Sequence, residues 1–145
     1  VLAGLGRADC QVLAPVRSHL HQEDLETLPL NIHVTDWIPT HQLGDAVDLA
    51  ITHGGEGTVQ TSCVQGWPFI GIPLQLEQRF NVQRCAAFGS ARLVSQKEAR
   101  RADWAALVRE ALADDRMRSR ARHMAELMKG LDGPGQAAEA ICKLL

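Results

Sequence analysis

The seven residues Thr52-His53-Gly54-Gly55-Glu56-Gly57-Thr58 constrain this chain more than any other stretch. The run Asp48-Leu49-Ala50-Ile51 leads into them as a strand, and a segment that reads as helix, Val59 to Gln65, leads out. The glycines therefore fall at a strand-to-helix turn. In open α/β sheets ligands bind outside the carboxyl ends of the strands, where His53 is placed. A helix start leaves its first N–H groups unpaired and carries the positive end of the helix dipole, and glycines let the backbone approach a phosphate closely. These residues predict an anion site, read here as a diphosphate cradle.

The rest of the chain must build the sheet behind that turn. Val1 to Ala8 has helix-like apolar spacing, Gln11-Val12-Leu13-Ala14 reads as a short buried strand, and Arg17 to Leu28 as a loop with a short helix. Asn31 to Thr35 alternates as a second strand that Pro39 closes off, and His41 to Ala46 fits one or two helical turns ahead of the strand Asp48 to Thr52. Gly66 caps the following helix, and Phe69-Ile70-Gly71-Ile72 is a buried strand ended by Pro73. Glu77 to Phe88 reads as a helix with Phe80, Cys85 and Phe88 turned to the core and Gly89 as its stop, followed by a strand at Ala91 to Val94.

From Gln96 onward the pattern is helical. Trp104, Leu107, Val108, Ala111 and Leu112 form one apolar stripe, Met117, Ala121, Met124, Leu127 and Met128 form another, and Gln136 to Leu145 is a final helix. Alternating strands and helices predict an α/β fold: a Rossmann-like parallel sheet with right-handed crossovers and helices on both faces. Such a domain normally begins on a strand, so the chain is expected to be a piece of something longer, with that strand upstream of residue 1.

Bulk properties narrow the function classes. At 145 residues, 46% hydrophobic and 22% charged, the chain suits a single globular domain. A net charge of −2 offers no electrostatic case for nucleic acid as a partner. No apolar run approaches the roughly 20 residues of a membrane span, and no signal-peptide layout opens the chain, so no integral membrane segment is expected and the cytoplasm is the default.

Cys10, Cys63, Cys85 and Cys142 form no C-x-x-C pair and read as buried free thiols, and His19-x-His21 as a surface loop; no metal site is expected. The arginines between 100 and 122 alternate with Asp103, Glu110, Asp114 and Asp115, the pattern of a salt-bridged solvated face. The turn has neither the lysine of a P-loop nor G-x-G-x-x-G spacing, which disfavours ATPase and dehydrogenase readings.

Three separated elements then line up. Trp37-Ile38-Pro39, His53-Gly54-Gly55-x-Gly57-Thr58, and Gly66-x-Pro68 with Pro73, Glu77-Gln78 and Asn81 resemble, in order and spacing, the C-terminal donor-binding domain of two-domain GT-B glycosyltransferases. Bacterial enzymes that glycosylate polyketide and macrolide natural products are the nearest in pattern, and the resemblance runs over residues 1–145.

The resemblance implies an inverting glycosyltransferase domain that binds a nucleotide diphosphate sugar, dTDP- or UDP-linked, for transfer to a hydroxyl of a small-molecule acceptor. It implies base stacking on Trp37 with the Ile38 backbone reading the base edge. Diphosphate contacts would come from His53, Gly54, Gly55, Gly57 and Thr58, and sugar contacts from Glu77 and Gln78. Thr61 stands at the ribose position, where many relatives carry glutamate; Thr40 replaces a common glutamine and Glu77 the commoner aspartate. Glu56, beside the proposed phosphate site, is expected to point to solvent, and Asn81 to be a helix-surface residue. The only cofactor-like molecule implied is the nucleotide-sugar co-substrate. The catalytic base and acceptor site are expected in an N-terminal acceptor-binding domain, so no catalytic residue is assigned in this chain. Two further readings stay open: a donor-binding subunit of a split two-chain enzyme, and a non-catalytic nucleotide-sugar-binding module.

Overall fold

In a computed structural model the chain is described over residues 1–144. Five three-residue strands are all parallel to their neighbours: β1 (Val12–Ala14), β2 (Ile32–Val34), β3 (Ala50–Thr52), β4 (Phe69–Gly71) and β5 (Ala91–Leu93). The helices are α1 (Leu2–Leu5), α2 (Gln22–Glu26), α3 (Glu56–Gln65), α4 (Leu76–Phe88), α5 (Gln96–Ala99), α6 (Trp104–Ala113), α7 (Asp115–Lys129) and α8 (Gly133–Cys142). Residues 40–46 form two 3-10 turns, in line with the one or two helical turns expected there.

The expected single sheet is in two parts: β1 pairs with β2, and β3, β4 and β5 follow one another in a second sheet. The main chain shows where the break lies. Val12 N–H donates to Asn31 and the Ala14 carbonyl accepts from Thr35, so those residues face β2 and Leu13 presents its backbone to the other edge. Likewise Ala50 donates to Pro68 and Thr52 accepts from Ile72, which leaves the Ile51 backbone on the edge away from β4. Among the described residues no strand pairs with either free edge.

A shared core still joins the two parts, with Ile32 from β2, Ile70 from β4 and Leu5, Trp104, Val108 and Ala111 from the helices in one buried cluster. Trp104 is 3% exposed, donates its indole N–H to the Ala99 carbonyl at 3.0 Å, and lies under Gly4 so closely that an added Cβ there would sit 2.9 Å from its own Cβ. Asn31 secures the α1–β1 connection by donating to the carbonyls of Leu5, Ala8 and Cys10. The helical second half is capped by side chains, with Asp103, Asp114 and Asp132 each accepting an N–H of the helix that follows. Arg120 of α7 donates to the Phe88 carbonyl at 2.8 Å and stacks over the Phe88 ring, closing the carboxyl end of α4.

Several expectations are corrected. Phe80 is 63% exposed: the inner face of α4 is Gln78, Val82 and Cys85, spaced at i, i+4 and i+7, and Phe80 falls outside that row. Helix α3 starts at Glu56, three residues before Val59, because the first turn of a helix needs no apolar residue and no i−4 partner. Of the four thiols only Cys85 is buried, and Cys142 is exposed. Cys63 and Cys85, 22 residues apart, bring their sulfurs to 3.9 Å where α3 meets α4, and that sulfur contact together with burial pushes the Cys63 thiol up. The final helix covers Gly133–Cys142, and Leu145 lies outside the described residues. No helix among the described residues is long and apolar enough to cross a membrane.

Candidate functional site

The site forms at the carboxyl end of β3. Gly54 takes a left-handed conformation, φ +87°, which an L side chain rarely adopts. Space forbids one as well: a Cβ at Gly54 would lie 2.4 Å from Val82 Cγ2 and 2.9 Å from the Gln78 carbonyl oxygen. The turn thus rests directly on α4. Gly55 then serves as N-cap of α3 in an extended conformation, with no side chain capping the helix.

A short hydroxyl relay holds the turn from beneath. Gly54 N–H donates to Thr52 Oγ1 at 3.2 Å, Thr52 Oγ1 lies 2.8 Å from Thr58 Oγ1, and the Thr58 hydroxyl donates to the Gly55 carbonyl at 2.9 Å. With its proton given to Gly55, Thr58 receives the proton of Thr52. Thr58 is therefore engaged within the turn through its side chain, while its N–H points out of the helix start.

The N–H groups of Gly55, Glu56, Gly57 and Thr58 donate to no partner among the described residues, and the first return bond of the helix is Val59 N–H to the Gly55 carbonyl. Four donors at a helix N-terminus, in a water-accessible turn, are what an anion needs. His53 is exposed, and its ring leans over Gly55, where an added Cβ would fall 2.5 Å from Nε2. Glu56 is exposed, as expected, and makes no hydrogen bond to the turn. The space where a side chain at Gly57 would stand is open.

Helix α4 supplies the second group. Glu77 is exposed at its first turn. Gln78 is 8% exposed and spends its Oε1 on the N–H groups of Leu74 and Gln75, at 2.9 and 3.2 Å, so only its Nε2 is left for a ligand. Asn81, expected on the helix surface, is half-buried and donates both to Glu77 Oε1 and to the Gly54 carbonyl. Its spacing of four from Glu77 was the signal available in the sequence. A cleft of about 450 Å3 opens beside this group, between Pro73–Leu76 and Leu93–Lys97 at the carboxyl ends of β4 and β5.

The third group is separate. Trp37 is 71% exposed after β2, its carbonyl accepting from Thr35 Oγ1, and the Ile38 carbonyl accepts from Thr40. No hydrogen bond joins Trp37 or Ile38 to the glycine turn. They are linked to it through α3: Gln65 donates to the His41 carbonyl at 2.8 Å and Trp67 to the Gly44 carbonyl at 2.7 Å, anchoring the segment that follows Trp37. Thr61, half-buried on α3, returns its hydroxyl to the Gly57 carbonyl at 2.9 Å.

Comparison with known proteins places the chain as a whole. The family described as "Erythromycin biosynthesis protein CIII-like, C-terminal domain" matches residues 1–144. The chain is 33% identical over 122 residues to the oleandomycin glycosyltransferase of Streptomyces antibioticus, covering 81% of this chain and 27% of that protein. It is 29% identical over 122 residues to the demethyllactenocin mycarosyltransferase of Streptomyces fradiae, covering 84% of this chain and 26% of that protein. The chain thus spans about a quarter of the length of these curated relatives. Among solved structures it superposes on the glycotransferase of kitacinnamycin with TM-score 0.84 and 23% identity, over 99% of this chain and 38% of that one. It superposes on the glycosyltransferase VinC, determined in complex with dTDP, with TM-score 0.84 and 19% identity, over 98% of this chain and 36% of that one. The fold is that of part of a GT-B glycosyltransferase.

Proposed function

This chain belongs to the erythromycin biosynthesis protein CIII-like C-terminal domain family, and from that premise we propose that it is the nucleotide-sugar donor-binding domain of an inverting glycosyltransferase. The observation that carries the reading is the set of four unpartnered N–H groups at Gly55–Thr58, with the His53 ring beside them at the end of β3. In the proposed reaction an acceptor hydroxyl gives its proton to a base on an N-terminal acceptor-binding domain. Its oxygen forms a bond to the anomeric carbon while the bond from that carbon to the diphosphate breaks. The nucleoside diphosphate leaves with the electron pair, and the donors at 53–58 stabilise the charge that gathers on it. Trp37 offers a flat face for the base, with stacking worth about 1–3 kcal/mol. Glu77 and the free Nε2 of Gln78 meet the sugar. The acceptor in this reading is a small natural product such as a polyketide.

Calorimetric titration with thymidine diphosphate and with uridine diphosphate tests it. Saturable binding is expected, weakened about tenfold or more in His53→Ala, since a hydrogen bond to a charged group contributes about 1.5–3 kcal/mol. Binding of neither nucleotide overturns the donor reading, sugar transfer by this chain alone overturns the assignment of the base elsewhere, and binding with no need of any acceptor-binding partner for function favours the non-catalytic module. Gly57→Ala separates folding from binding. Its Cβ enters open space on a helix, so stability is expected to rise by about 0.5 kcal/mol, while nucleotide affinity falls because the methyl group stands where the diphosphate approaches.

A further inference from the structure

Asn81 joins two parts of the site through one atom. Its Nδ2 donates to the Gly54 carbonyl at 3.2 Å and also to Glu77 Oε1. A side-chain amide nitrogen carries two protons, so the two bonds do not compete. The acceptors lie on different elements, one in the glycine turn and one a helical turn earlier on α4, and no other side chain among the described residues hydrogen-bonds to both.

The Gly54 carbonyl is not an arbitrary acceptor. It shares a peptide plane with the Gly55 N–H, and the planarity of that unit fixes the two groups in opposite directions. Neither flanking residue has a Cβ, so side-chain sterics place little restriction on rotation of this plane. Holding the carbonyl therefore aims the first of the four outward N–H donors.

We infer that Asn81 is a positioning residue that latches the Gly54–Gly55 peptide and couples it to the Glu77 carboxylate. The donors for a diphosphate and the acceptor for the attached sugar then act as one unit. The inference deepens the donor-binding reading and rests on it.

The test has an arm that needs no ligand. Backbone 15N relaxation of the free chain is expected to give Gly55 a rigid order parameter of about 0.85, falling below about 0.6 in Asn81→Ala, with the core of α4 at Val82 and Cys85 unchanged. Asn81→Asp is expected to act at least as strongly, because its carboxylate has no proton for either acceptor. The second arm titrates thymidine diphosphate and thymidine diphosphate-glucose. Asn81→Ala is expected to weaken thymidine diphosphate about tenfold, and the affinity ratio between sugar nucleotide and nucleotide is expected to fall towards that of Glu77→Ala, with that ratio in the double variant no lower than in either single one. An unchanged Gly55 order parameter overturns the latch. Equal weakening of both ligands, or a loss of thermal stability with both affinities kept, overturns the coupling. If wild type binds neither ligand while Gly55 still loosens in Asn81→Ala, the donor reading falls and takes the coupling with it, and the latch alone stands.

Discussion

Gly54→Ala is expected to destabilise the chain by about 3 kcal/mol or more and to abolish nucleotide binding in whatever fraction folds. Two costs combine. A left-handed backbone costs an L residue about 1–2 kcal/mol, and the new methyl group meets Val82 Cγ2 at 2.4 Å and the Gln78 carbonyl at 2.9 Å, an overpacking of about 1–3 kcal/mol. Helix α4 must back away from the turn, which breaks the bond from Asn81 and turns the four N–H donors. Urea unfolding followed by circular dichroism measures the loss.

A second glycine separates the two costs. Gly71 also faces Val82, with an added Cβ 2.5 Å from both of its γ carbons, but its φ is not positive and the three nearest atoms all belong to the Val82 side chain. Val82→Ala is therefore expected to relieve most of the damage of Gly71→Ala and only a small part of that of Gly54→Ala. Equal rescue of both would mean that sterics alone, without the left-handed backbone, explain the role of Gly54.

Trp104→Ala is expected to cost about 3–5 kcal/mol, the range for removing a large buried aromatic side chain. The side chain is 3% exposed and carries α1 on its face through Gly4. Its removal also leaves the Ala99 carbonyl without its partner. Trp104→Phe keeps most of the volume but not that bond, and is expected to lose about 1–3 kcal/mol. Neither change touches the glycine turn, so thymidine diphosphate affinity, measured where the variants remain folded, is expected to stay at the wild-type value. A fall in affinity would show that the helical half governs the donor site.

What was legible in the chain follows from how local each cause is. The strand at Phe69, the turn at 52–58 and the stops at Gly66 and Gly89 are set by residues adjacent in sequence, and the structure has each of them. Periodicity places the start of α3 too late because it sees only apolar residues, whereas the first helical turn is Glu56-Gly57-Thr58. Hydrophobicity alone points Phe80 inward, yet the buried row of α4 begins at Gln78, whose Oε1 is occupied with capping. Asn81 reads as a surface residue in the sequence because its decisive partner, Gly54, is 27 residues away and meets it only once α4 has docked. The division of the sheet was equally out of reach, since pairing depends on which strands arrive side by side and not on how any one of them reads.

The free edges of β1 and β3 also bear on how the chain behaves among its own copies. Each edge offers main-chain groups, at Leu13 and Ile51, that any extended strand can satisfy, and Leu13 is itself exposed. The outer edges of β2 and β5 likewise pair with no strand among the described residues. Pairing the β1 edge of one copy with the β3 edge of the next is head-to-tail and leaves an open edge at each end, so association of this kind propagates instead of closing at a dimer.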